Sequence, residues 1–182
     1  MRKILFLDVD GVLNHDKWFE SEQYRKHQKN WKISMFDPKC VERVNRILNE
    51  TGAELVVSSS WRSMHDLNLI FENVGLPTKF DVTPYGDVVY NLDPFGRNED
   101  GVDECLWWRG SEIKYWLEHN APNANYVILD DDADMLDEQI EHFIQTCGDS
   151  IYSADLYRYN EGSGLTDKCV ERAIKILNNE IH

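Results

Sequence analysis

Residues 4–7 form a run of apolar side chains, and this run constrains the fold more than any other part of the sequence. A strand with one face in water alternates apolar and polar residues, whereas a strand buried on both faces is apolar throughout. Two further short apolar runs occur at 55–57 and 126–129. Continuous apolar strands of this kind are typical of a parallel sheet that is covered on both sides.

Segments with helical patterns separate these runs. One helix is predicted to begin at Asp37, a favourable N-cap that precedes Pro38, and to end near Gly52. Further helices are expected around 65–73, at 111–119 and from Thr166 to about 178, and a short strand at 143–146. Strands that alternate with helices predict an α/β fold, here a three-layer α/β/α sandwich around a central parallel sheet.

Polar side chains follow each apolar run directly. Acids follow the first run, hydroxyl and guanidinium groups follow the second, and more acids follow the third. These side chains are Asp8 and Asp10, then Ser58, Ser59 and Arg62, then Asp130, Asp131 and Asp132. Ligands of open α/β sheets bind outside the carboxyl ends of the strands. An ordinary polar loop explains one such strand end but explains three poorly, so we expect these groups to form one site.

The first strand end brings two carboxylates close together. Asp8 and Asp10 are two positions apart, so an extended chain points their side chains the same way. Two adjacent anions repel each other, and a shared proton or a bound cation relieves that repulsion. The sequence at 8–11, Asp-Val-Asp-Gly, also resembles the start of a calcium-binding loop. That alternative lacks its later ligands, because the fifth and twelfth positions are Val12 and Phe19.

These strand ends resemble the motifs of the haloacid dehalogenase (HAD) superfamily of phosphotransferases that act through an aspartate. The first motif is matched by Asp8, Asp10 and Gly11, and the fourth by Asp130 and Asp131. The second motif is matched by Ser58, with Ser59 as the competing choice. The strings at 58–62, 128–132 and 164–166 are most similar to a small phosphatase subgroup that occurs in phages, in bacteria and in RNA-repair proteins.

The third motif departs from the family pattern. The family expects a lysine at the start of the helix that precedes the last acidic strand, and Arg109 occupies that position here. Lys114 has the expected residue type, but it lies beside Ile113 on a helix whose apolar face predicts that Lys114 points to solvent. We therefore favour Arg109. An arginine can neutralise the nucleophile and bind phosphate through two nitrogens, although the two cations are not interchangeable.

The resemblance implies a role for each matched residue. Asp8 would be the nucleophile that forms an aspartyl-phosphate, and Asp10 the general acid and base, which favours a phosphatase or a mutase. Mg²⁺ would be held by Asp8, the backbone carbonyl of Asp10 and Asp130, with Asp131 contacting it through water. Asp132 and Asp134 are further candidates for the acidic cluster, and the other role expected for Asp132 is that of a helix-start or turn residue. Phosphate oxygens would be bound by Ser58 or Ser59 and by Arg109, with Arg62 as a second phosphate contact or an ion-pair partner of a surface acid.

The length of 182 residues predicts a single domain, 1–182. Segments 14–36 and 79–108 are predicted to be cap insertions of the kind that set substrate choice in the resembling family. The first segment carries several aromatic residues. Those rings would either stack on a base or another ring of the substrate, or pack onto the core of the domain.

Composition limits the partners and the location. The net charge of −14 argues against tight binding of long duplex nucleic acid, although a nucleotide or one terminal phosphate fits. We expect a nucleotide or nucleic-acid end as the substrate. The alternatives are a sugar or other small-metabolite phosphate, or a non-catalytic module that binds phosphate or Mg²⁺. Scattered cysteines, no long apolar segment and an early first strand predict a cytoplasmic protein without a membrane anchor.

Overall fold

The computed structural model describes residues 1–27, 34–85, 109–146 and 164–180. Its centre is a five-stranded sheet with the order β3-β2-β1-β4-β5, and every neighbouring pair of strands is parallel. The strands are β1 (Lys3–Leu7), β2 (Glu54–Val57), β3 (Asp81–Val82), β4 (Asn125–Asp130) and β5 (Phe143–Gln145). The predicted parallel α/β architecture is confirmed.

Seven α-helices and one 3₁₀ helix, Asp137–His142, lie in the described residues. The α-helices are α1 (Asp16–Glu20), α2 (Glu22–His27), α3 (Pro38–Thr51), α4 (Trp61–Met64), α5 (Leu67–Val74), α6 (Arg109–Asn120) and α7 (Asp167–Leu177). The predicted caps are confirmed. Asp37 accepts a hydrogen bond from the backbone of Lys39, Gly52 ends α3 in the left-handed region, and Thr166 caps α7. The short helix α4 was not expected from the sequence.

Strand β1 is buried on both faces, which explains its unbroken apolar run. Ile4 and Phe6 belong to an apolar cluster that also contains residues of α6, while Leu5 and Leu7 belong to a second cluster with α3, α5 and α7. Alternate side chains of a strand point to opposite faces. Helices therefore cover both sides of the sheet, as the three-layer sandwich requires.

The strand register brings the candidate residues to one edge. Leu7 of β1 lies opposite Val57 of β2 and Leu129 of β4. The ladder continues one residue further, because the Asp8 amide donates to the Leu129 carbonyl at 2.9 Å and the Ser58 amide donates to the Leu7 carbonyl at 2.9 Å. Residues 58, 8 and 130 therefore lie side by side, in that order, at the carboxyl edge of the sheet.

The expected cap segments are described only in part. Helices α1 and α2 occupy much of 14–27, and the Trp18 indole is buried and donates to the Ser34 carbonyl at 2.8 Å. Residues 28–33 of the first predicted insertion lie outside the described residues. So do residues 86–108, which are most of the second. Cys40 and Cys169 are buried free thiols, whereas Cys105 and Cys147 lie outside the described part. Among the described helices, none combines the length and hydropathy needed to cross a bilayer.

Candidate active site at the carboxyl edge of the sheet

Three carboxylates converge at this edge. Ligand atoms of Asp8, Asp130 and Asp131 all lie within 4.8 Å of one another. Asp8 and Asp130 are only 5% and 2% exposed, and Asp131 is half-buried. Carboxylates are rarely buried without a compensating charge. The structure therefore collects at one place the acids that the sequence contributes from two distant strand ends.

Burial dominates the electrostatics of these acids. Burial raises the pKa of Asp8 to about 7, and the nearby charges of Asp131 and Asp10 add to that rise. Arg109 and a hydrogen bond from Ser59 oppose it. Burial, followed by the charge of Asp8, raises the pKa of Asp130, and burial with the charge of Asp132 raises that of Asp131 to about 6. These acids therefore favour a bound proton, and a cation would relieve the same repulsion.

Arg109 supplies positive charge to the same cluster. Its Nη2 donates to Asp8 Oδ1 at 3.5 Å, and its Nε lies 3.3 Å from Asp130 Oδ2. The start of α6 is held in place because Asp134 accepts a hydrogen bond from the Arg109 amide. Lys114, the other candidate for this position, lies on the exposed side of α6 and pairs with Glu138 at 2.8 Å. Arg109, rather than Lys114, therefore faces the acids.

The donor set suits a hard divalent cation. All three converging groups are carboxylates, the oxygen ligands that Mg²⁺ prefers. Asp130 Oδ2 is buried and accepts no hydrogen bond from any described residue, although Arg109 Nε lies near it. A buried carboxylate oxygen that accepts no hydrogen bond, in a cluster of other carboxylates, is an arrangement that a metal ion stabilises. Asp8, Asp130 and Asp131 are therefore the residues that would hold Mg²⁺.

Asp132 and Asp134 have other surroundings. Asp132 is exposed, and its backbone amide donates to Asp130 Oδ1 at 3.1 Å. Asp134 holds the first turn of α6 through its bond to the Arg109 amide. The bend after β4 therefore orients Asp130, while Asp134 orients the helix that carries Arg109.

Asp10 is exposed, but both of its oxygens are occupied. Asn14 Nδ2 donates to Oδ1 at 2.7 Å, and Trp61 Nε1 donates to Oδ2 at 2.9 Å. The two donors come from different parts of the chain, the turn after β1 and the start of α4. The carboxylate of the expected general acid is thus held by hydrogen bonds from the turn after β1 and from the start of α4.

Both candidate serines after β2 are buried. Ser58 Oγ accepts a hydrogen bond from Thr83 Oγ1 at 3.1 Å. Ser59 forms a side-chain hydrogen bond with Asp8, which acts to lower the pKa of that acid. The Ser58 amide donates to the Leu7 carbonyl, next to Asp8, whereas the Ser59 side chain contacts Asp8 itself. Each serine is therefore placed near Asp8, by a different kind of contact.

Arg62 is tied to the protein on several sides. Its Nη2 pairs with Glu112 at 2.8 Å, its Nη1 donates to the Ser59 carbonyl at 2.7 Å, and its guanidinium lies 4.0 Å from the ring centre of Tyr85. The side chain is only 2% exposed. Glu112 also lies 3.4 Å from Arg109 Nη1, so one buried acid joins the two arginines. An ion pair with a surface acid was one of the two roles expected for Arg62. The ion pair is present, but the expected surface location is wrong, because Glu112 is buried.

Gly11 allows the turn that brings the first and fourth motifs together. Its φ is +67°, and a Cβ at this position would lie 2.2 Å from Asp131 Cγ. Gly52 has nearly the same φ, +68°, but nothing lies within 4 Å of a Cβ there. We expect Gly11→Ala to lose about 1–3 kcal/mol more unfolding free energy than Gly52→Ala, because only the first substitution adds overpacking to backbone strain. Equal losses in chemical denaturation would contradict the contact between Gly11 and Asp131.

The raised pKa values predict how stability depends on pH. Asp8 and Asp131 have folded-state pKa values of about 7 and 6, above the value of about 3.9 expected in the unfolded chain. The folded state therefore binds more protons between about pH 4 and 7, and its stability falls as pH rises through that window. In EDTA, we expect the melting temperature to fall between pH 5 and 8. The fall should be smaller in Asp8→Asn, and a wild-type melting temperature that falls no more than the variant's over this range would refute the assignment.

Sequence reasoning missed three residues that contact the candidate site. Trp61 and Asn14 hold Asp10, and Glu112 joins the two arginines. Each is adjacent to a motif, but adjacency does not indicate where a side chain points. The available signal for Glu112 was its spacing of three residues from Arg109, which places the two on neighbouring positions of a helix surface.

Comparison with known proteins identifies the family. The family model described as the HAD domain in Swiss Army Knife RNA repair proteins matches residues 4–151. None of the curated proteins and none of the solved structures compared with the chain gives a match. The matched range contains all of the strand ends described above and covers most of the chain. The protein therefore belongs to the family of HAD domains found in Swiss Army Knife RNA repair proteins, and so to the HAD superfamily.

Proposed function

We propose that the protein is a Mg²⁺-dependent phosphomonoester hydrolase that works through an aspartyl-phosphate on Asp8. Membership of a family of HAD domains supports the general class, because these domains are generally hydrolases of the phosphatase type. The substrate class that we propose is a nucleotide or the terminal phosphate of a nucleic acid. The description of the family as a domain of RNA-repair proteins supports that choice.

One observation carries the proposal: the carboxylates of Asp8, Asp130 and Asp131 meet within 4.8 Å beside Arg109. A nucleophilic carboxylate needs positive charge near it to approach a phosphoryl group that is itself anionic. Arg109 provides one such charge, and Asp130 Oδ2, which accepts no hydrogen bond from a described residue, offers a ligand atom for another. A purely structural acidic turn would leave these groups in water rather than bury them together.

The residues divide the chemistry between them. Asp8 Oδ attacks phosphorus, the bond from phosphorus to the leaving oxygen breaks, and Asp10 gives that oxygen a proton. Asp10 then takes a proton from the water that attacks the aspartyl-phosphate, which releases inorganic phosphate and regenerates Asp8. Ser58, Ser59 and Arg109 hold the phosphoryl oxygens through hydrogen bonds and charge. When bound at these acids, Mg²⁺ would neutralise carboxylates and phosphoryl oxygens.

We also propose that segments 14–36 and 79–108 act as caps of a single domain. Trp18 is buried, and its ring is 6.0 Å from that of Tyr24, so part of the first segment packs through its aromatics. Phe19 and Tyr24 lie ring to ring at 5.2 Å on the same segment and are half-buried. Among the described aromatic rings of segment 14–36, these two have surface left to contact a base.

The test is a phosphate-release assay on a panel of esters with Mg²⁺ or EDTA. The panel contains 5′-nucleotides, oligonucleotides with 3′- or 5′-terminal phosphate, and sugar phosphates. We expect release that requires Mg²⁺ and is fastest with a nucleotide or oligonucleotide end. Faster release from sugar phosphates would favour the small-metabolite alternative. No release from any ester, with Mg²⁺ binding retained, would favour the non-catalytic module.

Asp10→Asn provides the matching prediction for the proton-transfer step. The amide cannot deliver or accept the proton, while Asp8 keeps its contacts with Arg109. We expect kcat for a nucleotide substrate to fall by about 10²- to 10⁴-fold, the usual contribution of general acid–base catalysis. An unchanged kcat would remove Asp10 from the mechanism.

A further inference from the structure

The exposed carboxylate of Asp10 has a fixed orientation. An exposed aspartate ordinarily samples several side-chain rotamers. Here each oxygen accepts one N–H hydrogen bond, from Asn14 Nδ2 at 2.7 Å and from Trp61 Nε1 at 2.9 Å. A carboxylate has about four lone-pair directions, so both bonds leave room for the proton that is transferred.

The two donors are themselves rigid. Trp61 is 3% exposed, and its ring packs against those of Phe36 and His65 at centroid distances of 5.3 and 4.4 Å. Asn14 is 3% exposed, and its Oδ1 accepts a hydrogen bond from the Gly11 amide at 3.0 Å. That bond fixes the orientation of the side-chain amide, so its NH₂ group must face Asp10. Neither donor can turn away without disrupting other contacts.

We propose that Trp61, together with Asn14, is a positioning residue that aims Asp10 at the leaving oxygen. The inference rests on the proposed phosphatase function and adds to it the residues that place the proton donor. Proton transfer requires the donor within hydrogen-bond reach of the reacting oxygen, and small displacements cost large factors in rate. The indole also links the second strand end to the acid of the first.

The leaving group provides a specific test of this role. An alkoxide must be protonated as it departs, whereas p-nitrophenolate is a weak base that leaves without a proton. We expect Trp61→Phe to lower kcat/KM at least about tenfold for the best alkyl phosphomonoester of the panel. For p-nitrophenyl phosphate, we expect less than about a threefold change. A merely structural role for Trp61 would lower both values by the same factor, and that result would overturn the inference.

The chain offers a closely matched control. Trp116 is also 3% exposed, and its Nε1 donates to Asp81 Oδ2 at 2.9 Å, in the apolar cluster that contains Ile4 and Phe6. Trp116→Phe removes the same kind of bond away from Asp10, so the ratio of alkyl to aryl kcat/KM should stay at the wild-type value. Asn14→Asp is the second variant, because it keeps the acceptor for Gly11 but loses the donor to Asp10. It should shift the ratio in the same direction as Trp61→Phe.

A spectroscopic measurement tests the contact without activity. The Trp61 indole N–H signal, assigned in ¹⁵N NMR spectra through Trp61→Phe, should move upfield and exchange faster with water in Asp10→Asn. The Trp116 signal should not change. A Trp61 indole signal that is the same in Asp10→Asn as in wild type would overturn the inference, even if the enzyme is active. A perturbed indole signal in a protein that hydrolyses no ester would confirm the contact but reject both the proposed function and the positioning role.

Discussion

Asp8→Asn is expected to lose phosphatase activity by about 10⁴- to 10⁶-fold, the range found when a catalytic nucleophile or its partner is removed. The amide has nearly the shape of the carboxylate, but it cannot form the bond to phosphorus. The same substitution should stabilise the metal-free protein near pH 8, because it removes a buried carboxyl group that is charged at that pH and whose pKa is raised to about 7. Activity and stability should therefore move in opposite directions.

Steady-state phosphate release and thermal melting in EDTA measure the two effects. Asp137→Asn is a suitable control, because this acid is exposed at the start of the 3₁₀ helix and should change neither quantity. Activity that survives in Asp8→Asn would remove the covalent mechanism. A variant that is inactive and also less stable would indicate misfolding rather than loss of the nucleophile.

Arg109→Ala has the second-largest expected effect. The three guanidinium nitrogens face three different acids, with Nη2 toward Asp8, Nε toward Asp130 and Nη1 toward Glu112. Loss of this group removes the charge expected to bind the phosphoryl oxygens, and we expect kcat to fall about 10²- to 10³-fold. It also leaves buried acids uncompensated, which should cost about 3–5 kcal/mol of unfolding free energy at pH 8 in EDTA.

Arg109→Lys separates charge from geometry. A lysine keeps the positive charge, but its single ammonium cannot face three acids at once, so we expect activity between that of Arg109→Ala and wild type. Lys114→Ala, which removes an exposed pair with Glu138, should leave kcat within about twofold of wild type and shift stability by less than about 1 kcal/mol. If Lys114→Ala were the more damaging variant, the third motif would have to be reassigned.

The fold was predictable because its strongest signals are local. A run such as 4–7, apolar on every residue, is compatible with few positions other than the middle of a parallel sheet, and Asp37 and Gly52 mark the ends of α3 by their own backbone preferences. The convergence of Asp8 and Asp130 follows from the same reasoning. Parallel strands in register place the residues after them side by side.

The rest of the candidate site depends on contacts between distant residues, which local patterns do not encode. Arg62 and Glu112 are 50 residues apart, and their pairing depends on how α6 packs beside the start of α4. The sequence pattern around Trp61 does not indicate whether its indole points to Asp10 or into the core. In the structure the indole is buried and also donates a hydrogen bond to Asp10. Side-chain direction at the end of a strand is set by packing, and packing appears only in three dimensions.

Trapping of the covalent intermediate tests the central claim most directly. The wild-type protein is mixed with Mg²⁺ and the best ester of the panel, quenched within one turnover, reduced with borohydride and digested for mass spectrometry. An aspartyl-phosphate is reduced to homoserine, so we predict homoserine at position 8, absent without substrate and absent in Asp8→Asn. Turnover without modification of residue 8, or with modification at another acid, would contradict the account.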